Sequence, residues 1–277
     1  MKSIAVLLTV HNRKEKTLEC LSYLYQQKIP EGYYFDVYLT NDGCTDGTPE
    51  AVKQHYPSVN IINGDGNLFW NRGMYKAWES ASSTQNYDYY FWLNDDTTLK
   101  ENALSILISS SELKNDESII VGTTVSTKDS KRITYGGRTK RTGLLMPSKE
   151  LILCEFFNGN IVLIPNNVYK IVGTNDYLFR HALGDFDYGL RAGKLGVKSY
   201  IAPEILGACD EHENLSTWCN PKQHFVKRWK AFRKPTGHNP EEFFIFEKRH
   251  KGILIAVFHY FTNHLRVLLP KLWTKRI

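Results

Sequence analysis

The sequence lacks the cysteine pattern of a disulfide scaffold or of a zinc site. Its five cysteines are scattered over 277 residues, with an odd count and no pair at CxxC spacing. This pattern indicates reduced thiols, as in a cytosolic compartment. Internal repeats, low-complexity tracts and long linkers are missing too. The simplest organisation is therefore one large domain followed by a C-terminal extension.

Long apolar runs are also absent. No stretch approaches the roughly 20 apolar residues that a helix needs to span a bilayer, so we expect no membrane crossing. The apolar run at residues 4–10 is too short for a signal peptide and has no small-residue cleavage site after it. Its length and β-branched content are typical of a buried parallel strand. We therefore expect a cytoplasmic protein.

Positive charge exceeds negative charge, and the excess is unevenly distributed. The net charge is +6, and the basic stretches are residues 222–234 and 248–276. A basic patch can face nucleic acid, an anionic membrane or a diphosphate ligand. Because no recognisable nucleic-acid-reading element accompanies the cations, we expect no nucleic acid partner. The tail, with apolar residues 253–258 and Trp273, fits an interfacial helix on an anionic leaflet or a helix packed on the domain.

The first third of the chain alternates strand and helix signals. We predict strands at 3–10, 35–40, 59–62 and 88–93, and helices at 14–27, 49–55 and 71–82. Shorter strands with glycine-rich turns follow at 119–164, then a helix at 181–195, then basic helices and loops. The alternation predicts a doubly wound, mostly parallel sheet.

Polar clusters follow three of the predicted strands. They lie at residues 11–13, 41–43 and 94–96. Ligands of such sheets bind beyond the carboxyl ends of the strands, so we expect these clusters to meet at one rim. Asp95 and Asp96 are adjacent carboxylates and suit Mg²⁺ or Mn²⁺. The alternative is a helix N-cap for a segment starting near Thr98.

Two further acidic segments each permit two interpretations. Asp42 fits either a turn with a helix cap nearby, formed by Asp46 or Thr48, or an acceptor for a nucleotide base or ribose. Asp185 fits either a helix cap or a general base. Asp187 has i to i+4 spacing from Arg191, which favours a structural ion pair.

Taken in order, these segments resemble glycosyltransferase family 2, the inverting enzymes of GT-A fold. The resemblance covers about residues 3–215 and is nearest to the rhamnosyltransferase-like branch of bacterial surface-polysaccharide enzymes. The matching segments are LTVHNR at 8–13, NDGCTDGT at 41–48, GNLFWNRG at 66–73, WLNDD at 92–96, GDFDYGLR at 184–191, and His212 followed by Ser216.

The resemblance implies an α/β fold of GT-A type over residues 1–215, with a helical extension at 216–277. It also implies inverting transfer of one hexosyl or deoxyhexosyl group from a UDP-sugar or dTDP-sugar to a glycan or lipid-linked acceptor. Such a reaction belongs to cell-surface polysaccharide biosynthesis, at the inner face of the plasma membrane. The Q-x-x-R-W motif of processive synthases is missing, because Gln223 precedes Arg228-Trp229 at the wrong spacing.

The resemblance also implies site residues. Those of the donor site would be Thr9, Asn12 and Asp42 for the nucleoside, and Asn67, Asn71, Arg72 and Asp95 for the diphosphate and sugar. Asp96 with His212 would hold a divalent cation, Mn²⁺ or Mg²⁺, and Asp185 would be the catalytic base. The family's Glu before this aspartate is Gly184 here, which opens space, and Asn94 replaces an acid.

Two other functions remain open on the residues. A sugar nucleotidyltransferase also places acids and a parallel sheet around a nucleotide. It would show a glycine-rich phosphate loop after the first strand, whereas residues 11–13 here contain no glycine, which disfavours this function. A non-catalytic nucleotide-sugar-binding protein would not need Asp42, Asp96, Asp185 and His212 together.

Overall fold

The protein is an α/β structure whose strands and helices alternate along the first third of the chain. The computed structural model describes residues 1–211 and 216–272. The strands are β1 (Lys2–Val10), β2 (Tyr33–Asn41), β3 (Asn60–Asn63), β4 (Tyr89–Leu93), β5 (Thr98–Leu99), β6 (Ser118–Val125), β7 (Ile133–Tyr135), β8 (Gly137–Thr139), β9 (Gly143–Leu144), β10 (Ile152–Cys154), β11 (Phe156–Phe157), β12 (Ile161–Pro165) and β13 (Lys198–Ala208). The helices are α1 (Lys14–Tyr25), α2 (Thr48–His55), α3 (Phe69–Thr84), α4 (Ala103–Glu112), α5 (Asn166–Val172), α6 (Gly184–Lys194), α7 (Phe225–Arg233), α8 (Pro240–Lys251) and α9 (Ile253–Leu268).

The central sheet has the strand order β10-β13-β6-β12-β4-β1-β2-β3. Strand β1 pairs in parallel with β2 and β4, and β2 pairs in parallel with β3. Strand β12 runs antiparallel between β4 and β6, and β13 returns parallel to β6. A separate three-stranded sheet has the order β11-β8-β9. The predicted parallel arrangement of the first strands is confirmed.

Alternating side chains of the buried strands form a core on each face of the sheet. In β1, Ile4, Val6 and Leu8 belong to one cluster, whereas Ala5 and Leu7 belong to the other. Helices α1, α2 and α4 bury apolar residues in the first cluster, and α3, α5 and α6 bury theirs in the second. Helices on both faces make the sheet doubly wound, as the sequence predicted.

Aromatic side chains dominate the second cluster and reach the carboxyl end of the sheet. Trp78 and Trp92 are fully buried, with ring centroids 5.6 Å apart at an interplanar angle of 84°. The edge-to-face arrangement continues from Trp92 to Trp70, at 5.8 Å. Trp70 is only partly buried, so this row of rings connects the core to the rim.

One of the two interpretations of Asp95 and Asp96 is excluded, and the predicted cap of α2 was wrong. The segment after Asp96 is strand β5, not a helix, so the aspartate pair is not an N-cap. Helix α2 has Gly47 at its N-cap position, at φ 78°, where a residue without Cβ is favoured. Asp46 instead accepts the N–H of Thr48 at 3.1 Å and the N–H of Lys14 at 3.0 Å, tying α2 to α1.

The chain groups into two compact units. The first comprises residues 1–177 and 184–211, and the second comprises residues 178–183 and 212–277. The sequence placed a boundary after residue 215 and did not assign residues 178–183 to the second part. Within the second unit, Arg228 donates to the carbonyl of Val267 at 3.0 Å and Glu247 accepts from His259 at 2.7 Å, which join α9 to α7 and α8. No helix in the described ranges is long and apolar enough to cross a membrane.

Candidate active site

The carboxyl ends of β1, β2 and β4 meet at one rim of the first unit. His11, after β1, contacts the carbonyl of Asp42, after β2, through Nδ1 at 2.6 Å. Asn12, at φ 51°, accepts the N–H of Thr45 at 2.7 Å through Oδ1. Asn94, after β4, donates its N–H to the carbonyl of Asn160 at 3.1 Å. Because β12 is antiparallel, its amino end adds the segment around Asn160 to the same rim.

Asp42 anchors the loop that precedes α3. Its buried carboxylate accepts the N–H of Gly66 at 2.9 Å, of Leu68 at 3.1 Å and of Phe69 at 2.8 Å. Phe69 has φ 58°, an unfavourable conformation for an aromatic residue that the surrounding bonds must hold. The observed contacts of Asp42 therefore shape the rim, and its contact with the nucleoside stays a prediction.

Asp95 and Asp96 lie side by side under the guanidinium of Arg13. Nη1 of Arg13 is 2.5 Å from Oδ2 of Asp96, and Nη2 is 3.3 Å from Oδ1 of Asp95. Burial raises the pKa of Asp95 to about 7, although Arg13 opposes the shift. The Asp96 side chain is 21% exposed and that of Asp95 only 3%, so Asp96 is the carboxylate that faces solvent.

The donor set at this pair fits a hard divalent cation. Carboxylate oxygens are the ligands that Mg²⁺ and Mn²⁺ prefer, usually one or two with substrate phosphates completing the shell. The guanidinium of Arg13, whose side chain is 43% exposed, supplies the positive charge that balances the two carboxylates. Within residues 1–211 and 216–272, no group of three acidic, His or Cys side chains could hold a metal by itself. His212, the second predicted ligand, lies outside the described residues.

Cys209 and Asp210 were missed by the sequence analysis and belong to the rim. Sγ of Cys209 is 3.6 Å from Oδ1 of Asp96, and burial raises the pKa of the thiol to about 12. Asp210 accepts from the hydroxyl of Ser126 at 2.6 Å and from Thr127, which lowers its pKa to about 2. No local motif could reveal this, because Cys209 is 113 positions from Asp96 and reaches it only through the path of β13.

Asp185 lies in the first turn of α6, beside the start of β12. Its Oδ2 accepts the N–H of Gly159 at 3.0 Å, and its Oδ1 accepts that of Phe186 at 2.8 Å. Burial raises the pKa of Asp185 to about 6, and the two backbone donors oppose the shift. A Cβ on Gly159 would come within 2.5 Å of the Trp70 ring and 3.4 Å of the Cβ of Asp185, so both side chains lie against this glycine.

Trp70 links this carboxylate to the acid pair. Its indole N–H donates to Oδ1 of Asn94 at 2.7 Å, and Asn94 directly precedes Asp95. Asn94 therefore orients an aromatic ring at the rim, a use that its replacement of an acid did not suggest. The structure brings Asp185, Trp70 and the acid pair to the same rim.

Asp187 points away from Asp185, as expected for residues two apart on a helix. It is fully buried, and its Oδ2 accepts from Nε of Arg191 at 2.9 Å. Arg191 also donates to the carbonyls of Val172 and Thr174 at 3.0 and 2.8 Å. The predicted i to i+4 ion pair is confirmed, and it ties α6 to the end of α5.

Asn71 is fully buried and bonded within the protein. Its Nδ2 donates to the carbonyl of Asp176, and its Oδ1 accepts from Asn175, each at 2.7 Å. A Cβ on Gly184 would lie 1.9 Å from this Oδ1. The expectation that Gly184 opens space was therefore wrong, because the Asn71 side chain fills that space. Arg72 donates to the carbonyl of Tyr177 at 2.8 Å.

The remaining predicted donor residues differ in exposure. Asn12 and Asn67 are exposed, and Asn67 donates its N–H to Asp65 at 2.9 Å. Thr9 is 8% exposed and lies against α3 at Gly73. A Cβ on Gly73 would lie 2.0 Å from Oγ1 of Thr9. Contacts of Thr9, Asn12, Asn67, Asn71 and Arg72 with a donor remain predictions.

The fold and rim define a GT-A glycosyltransferase. Residues 5–174, more than half of the chain, match the family model for glycosyl transferase family 2. The chain belongs to this family. No curated protein matches the chain by sequence.

Solved structures of glycosyltransferases share the fold. TarS from S. aureus, residues 1–349, is 12% identical with a TM-score of 0.53, over 76% of this chain and 60% of that chain. The same fragment is also solved with UDP. The mannosyltransferase PcManGT from Pyrobaculum calidifontis, with GDP-Man and Mn²⁺, is 15% identical with a TM-score of 0.56, over 97% of this chain and 72% of that chain. GalNAc-T7 with UDP, GalNAc and Mn²⁺ is 12% identical with a TM-score of 0.60, over 84% of this chain and 48% of that chain. This chain thus spans about three fifths of the TarS fragment.

Proposed function

We propose that the protein transfers one sugar, with inversion, from a nucleoside-diphosphate sugar to a glycan or lipid-linked acceptor in cell-surface polysaccharide biosynthesis. The observation that carries the proposal is the placement of Asp185. This carboxylate has a raised pKa and lies at the same rim as Asp95 and Asp96, where a donor diphosphate would bind. A base near neutral pH beside a phosphate site is what direct displacement requires.

The chemistry needs a single base. Asp185 takes the proton of the acceptor hydroxyl while the hydroxyl oxygen attacks the anomeric carbon from the face opposite the diphosphate. The carbon–oxygen bond to the diphosphate breaks, and its electrons leave with the nucleoside diphosphate. One displacement inverts the anomeric centre. Asp187 is buried in its ion pair with Arg191 and supports the helix that positions Asp185.

We infer a hexosyl or deoxyhexosyl donor carried on uridine or thymidine diphosphate. The UDP bound to TarS and to GalNAc-T7 supports a nucleotide sugar at this rim, whereas PcManGT binds GDP-Man. Asn12 and Asn67 are exposed and can contact a ligand directly. Trp70, whose indole N–H bonds to Asn94, is partly exposed at the rim, where the donor sugar would lie.

A divalent cation, Mn²⁺ or Mg²⁺, would be held by Asp96, with Asp95 behind it and His212 as the family match implies. When bound, such an ion neutralises the charge that develops on the departing diphosphate. The Mn²⁺ in two of the similar structures supports this assignment. Arg13 already balances the same two carboxylates, so it would have to give up these contacts when the ion enters.

A donor screen tests the function. Purified protein with Mn²⁺ would be incubated with individual UDP-, dTDP- and GDP-sugars and candidate acceptors, and release of nucleoside diphosphate would be measured. Acceptor-dependent release supports transfer, and NMR of the product linkage tests inversion. Release of a nucleoside triphosphate from a sugar donor and pyrophosphate would instead identify a nucleotidyltransferase. Donor binding without turnover for any acceptor would favour a non-catalytic binding protein.

Turnover should depend on pH through Asp185. The base works as a carboxylate, so activity is present above its pKa of about 6 and is lost as pH falls through that value. We expect protonation of Asp185 to contribute a fall in kcat/KM of about tenfold per pH unit below pH 6, because one proton inactivates the base. Asp95, whose pKa is about 7, should add a second inflection at higher pH. Rates measured from acidic to neutral pH, with folding checked by circular dichroism, provide the test. A plateau that extends down to the ordinary carboxyl range would contradict the assignment.

We also propose that the second unit contacts an anionic membrane, which places the enzyme peripherally at the inner face of the plasma membrane. Helix α9 packs through Ala256 and Val267, which are fully buried. Its other face is exposed and apolar over its whole length. The exposed residues on this face are Leu254, Val257, Phe258, Phe261, Leu265 and Leu268. Their spacing of three and four places them on one stripe of the helix.

Charge supports an anionic lipid surface as the occupant of this stripe. The second unit, residues 178–183 and 212–277, contains 14 Lys or Arg against four Asp or Glu, whereas the first contains 21 against 25. The second unit is therefore strongly basic and the first slightly acidic. An apolar helix face in a basic setting is typical of helices that lie in the interface of an anionic bilayer. The sequence left open whether the tail packs on the protein or lies on a membrane. Helix α9 allows both, because one of its faces is packed and the other is exposed.

Polar substitutions on the exposed stripe test this proposal better than deletion of α9, because a deletion would also remove the buried residues Ala256 and Val267. Leu254→Gln, Phe258→Gln and Phe261→Gln together should abolish co-sedimentation with phosphatidylglycerol vesicles and leave the melting temperature nearly unchanged, because all three are exposed. The matched control is Leu113→Gln, an exposed leucine at the end of α4. Unchanged sedimentation of the triple variant would refute the membrane contact. Loss of a dimer in light scattering would show that a second copy covers the stripe.

A further inference from the structure

A cavity of about 780 Å³ lies wholly within the second unit, beside α7. Its wall includes Lys227, Lys230 and Lys234, three cations that share one side of α7 and its end. The hydroxyls of Ser216, Thr217 and Thr236 line it as well. The cavity therefore combines positive charge with hydrogen-bonding groups.

None of the three lysines has an acidic partner among the described residues, whereas several other cations of this unit do. Arg180 pairs with Glu242 and Arg233 with Glu241, each at 2.6 Å. Lys251 pairs with Glu247 at 3.0 Å. By contrast, none of the three cavity lysines forms an ion pair with a residue that the structure describes, and all three are exposed. Like charges gathered without an acid raise the local positive potential and attract an anion.

The wall of the cavity is formed in part by tightly packed residues. Trp218 lines it with only 7% of its surface exposed, and its ring stacks on His238 with centroids 4.4 Å apart. Gly237 closes the turn after α7 so tightly that a Cβ there would lie 1.8 Å from the carbonyl of Ala231. This turn fixes Lys234 and Thr236 against the helix. The lysines thus line a cavity whose wall also contains a packed indole.

We propose that this cavity binds a phosphate group attached to a polar organic moiety, such as a phosphodiester or diphosphate headgroup. Lysines are point-charge binders of phosphate, and the three hydroxyls supply donors to its oxygens. Val226, which lines the cavity and is exposed, offers an apolar surface for the carbon skeleton that carries the phosphate. The inference does not rest on the proposed transfer reaction, because the rim of the first unit shares no residue with this cavity.

Calorimetry with inorganic pyrophosphate and with glycerol 3-phosphate, both in EDTA, tests the site with soluble probes. The triple variant Lys227→Gln, Lys230→Gln, Lys234→Gln should bind both probes at least about tenfold more weakly, because it loses three charge contacts. The matched control is Lys149→Gln, Lys222→Gln, Lys248→Gln, which removes the same charge from exposed positions outside the cavity. The control should bind both probes as the unchanged protein does.

A second arm uses vesicles of phosphatidylglycerol and phosphatidylcholine to distinguish the source of the phosphate. Weakened binding of both probes and vesicles in the cavity variant supports a lipid headgroup, and weakened probe binding alone supports a free phosphate compound. An unchanged isotherm in the cavity variant, or equal losses in both triple variants, would overturn the proposal. Replacing the same three lysines with arginine should restore binding, and melting curves confirm that each variant folds.

Discussion

Asp96→Ala should abolish the dependence of nucleoside diphosphate binding on Mn²⁺ or Mg²⁺. Even second-shell changes at metal sites reduce affinity about 10–100-fold, so loss of a ligand should reduce metal-dependent affinity at least about 100-fold. Asp96 is the more exposed carboxylate of the pair, and Asp95 behind it is almost fully buried. The buried acid cannot replace its neighbour without rearrangement of the rim.

The loss should appear in calorimetry of UDP with and without Mn²⁺. Glu31→Ala is the matched control, because it removes one exposed carboxylate from the turn before β2, at the end of that strand away from the rim. We expect the control to retain the metal dependence. Unchanged, metal-insensitive UDP affinity in Asp96→Ala would show that this aspartate does not hold the ion.

The rim could be predicted because strand ends in a parallel sheet converge by topology. The apolar runs of β1, β2 and β4 are short and rich in β-branched or aromatic residues, and a polar cluster follows each one. Buried parallel strands need such runs whatever the ligand is. The sequence therefore located Asp42, Asp95 and Asp96 correctly relative to the sheet.

The contacts within the rim could not be predicted, because they join residues distant in the chain. Asp42 bonds to three backbone N–H groups after β3, a use that its turn-like sequence does not indicate. Cys209 reaches Asp96 only through a strand from the far part of the chain. Gly184 is explained by Asn71, which is held in turn by Asn175. Packing decides these contacts, and no local pattern encodes them.

The antiparallel strand β12 was the main element whose role the sequence did not reveal. Its apolar residues predict another short strand, but a buried apolar run does not indicate whether the strand is parallel or antiparallel to its neighbours. Because β12 runs antiparallel between β4 and β6, its first residues lie at the rim, and Gly159 reaches Asp185. The base is thus positioned by a strand reversal, in addition to its own helix.

Asp185→Asn should keep donor affinity and lower turnover about 10²–10⁴-fold, the usual contribution of a positioned general base. The amide is nearly isosteric with the carboxyl group but cannot take a proton. Because burial raises the pKa of Asp185, its charged form costs stability above pH 6, and that cost is absent below its unfolded-state pKa. The amide keeps only one acceptor oxygen, so one of the two bonds from the N–H groups of Gly159 and Phe186 is lost, and relief of the charge cost at pH 7 offsets part of that loss. We therefore expect a smaller fall in melting temperature than for Asp187→Asn.

Asp187→Asn is the matched comparison on the same helix. It removes the charge from a fully buried partner of Arg191, so we expect a loss of about 1–3 kcal/mol in the free energy of unfolding. Turnover per folded molecule should change far less than in Asp185→Asn, because the Asp187 side chain points away from the rim.

Steady-state rates, calorimetric donor affinity and melting curves on the two variants separate the roles of the two carboxylates. A general base predicts a stable, donor-binding and slow Asp185→Asn enzyme, whereas a structural cap predicts an unstable one with normal turnover. The inflection near pH 6 should also disappear from the residual activity of this variant, since Asp185 is gone, whereas the inflection from Asp95 near pH 7 should remain. A stable Asp185→Asn enzyme with near-normal turnover and an unchanged inflection near pH 6 would mean that another group removes the acceptor proton. Asp185 would then serve only to bind the N–H of Gly159, beside Trp70.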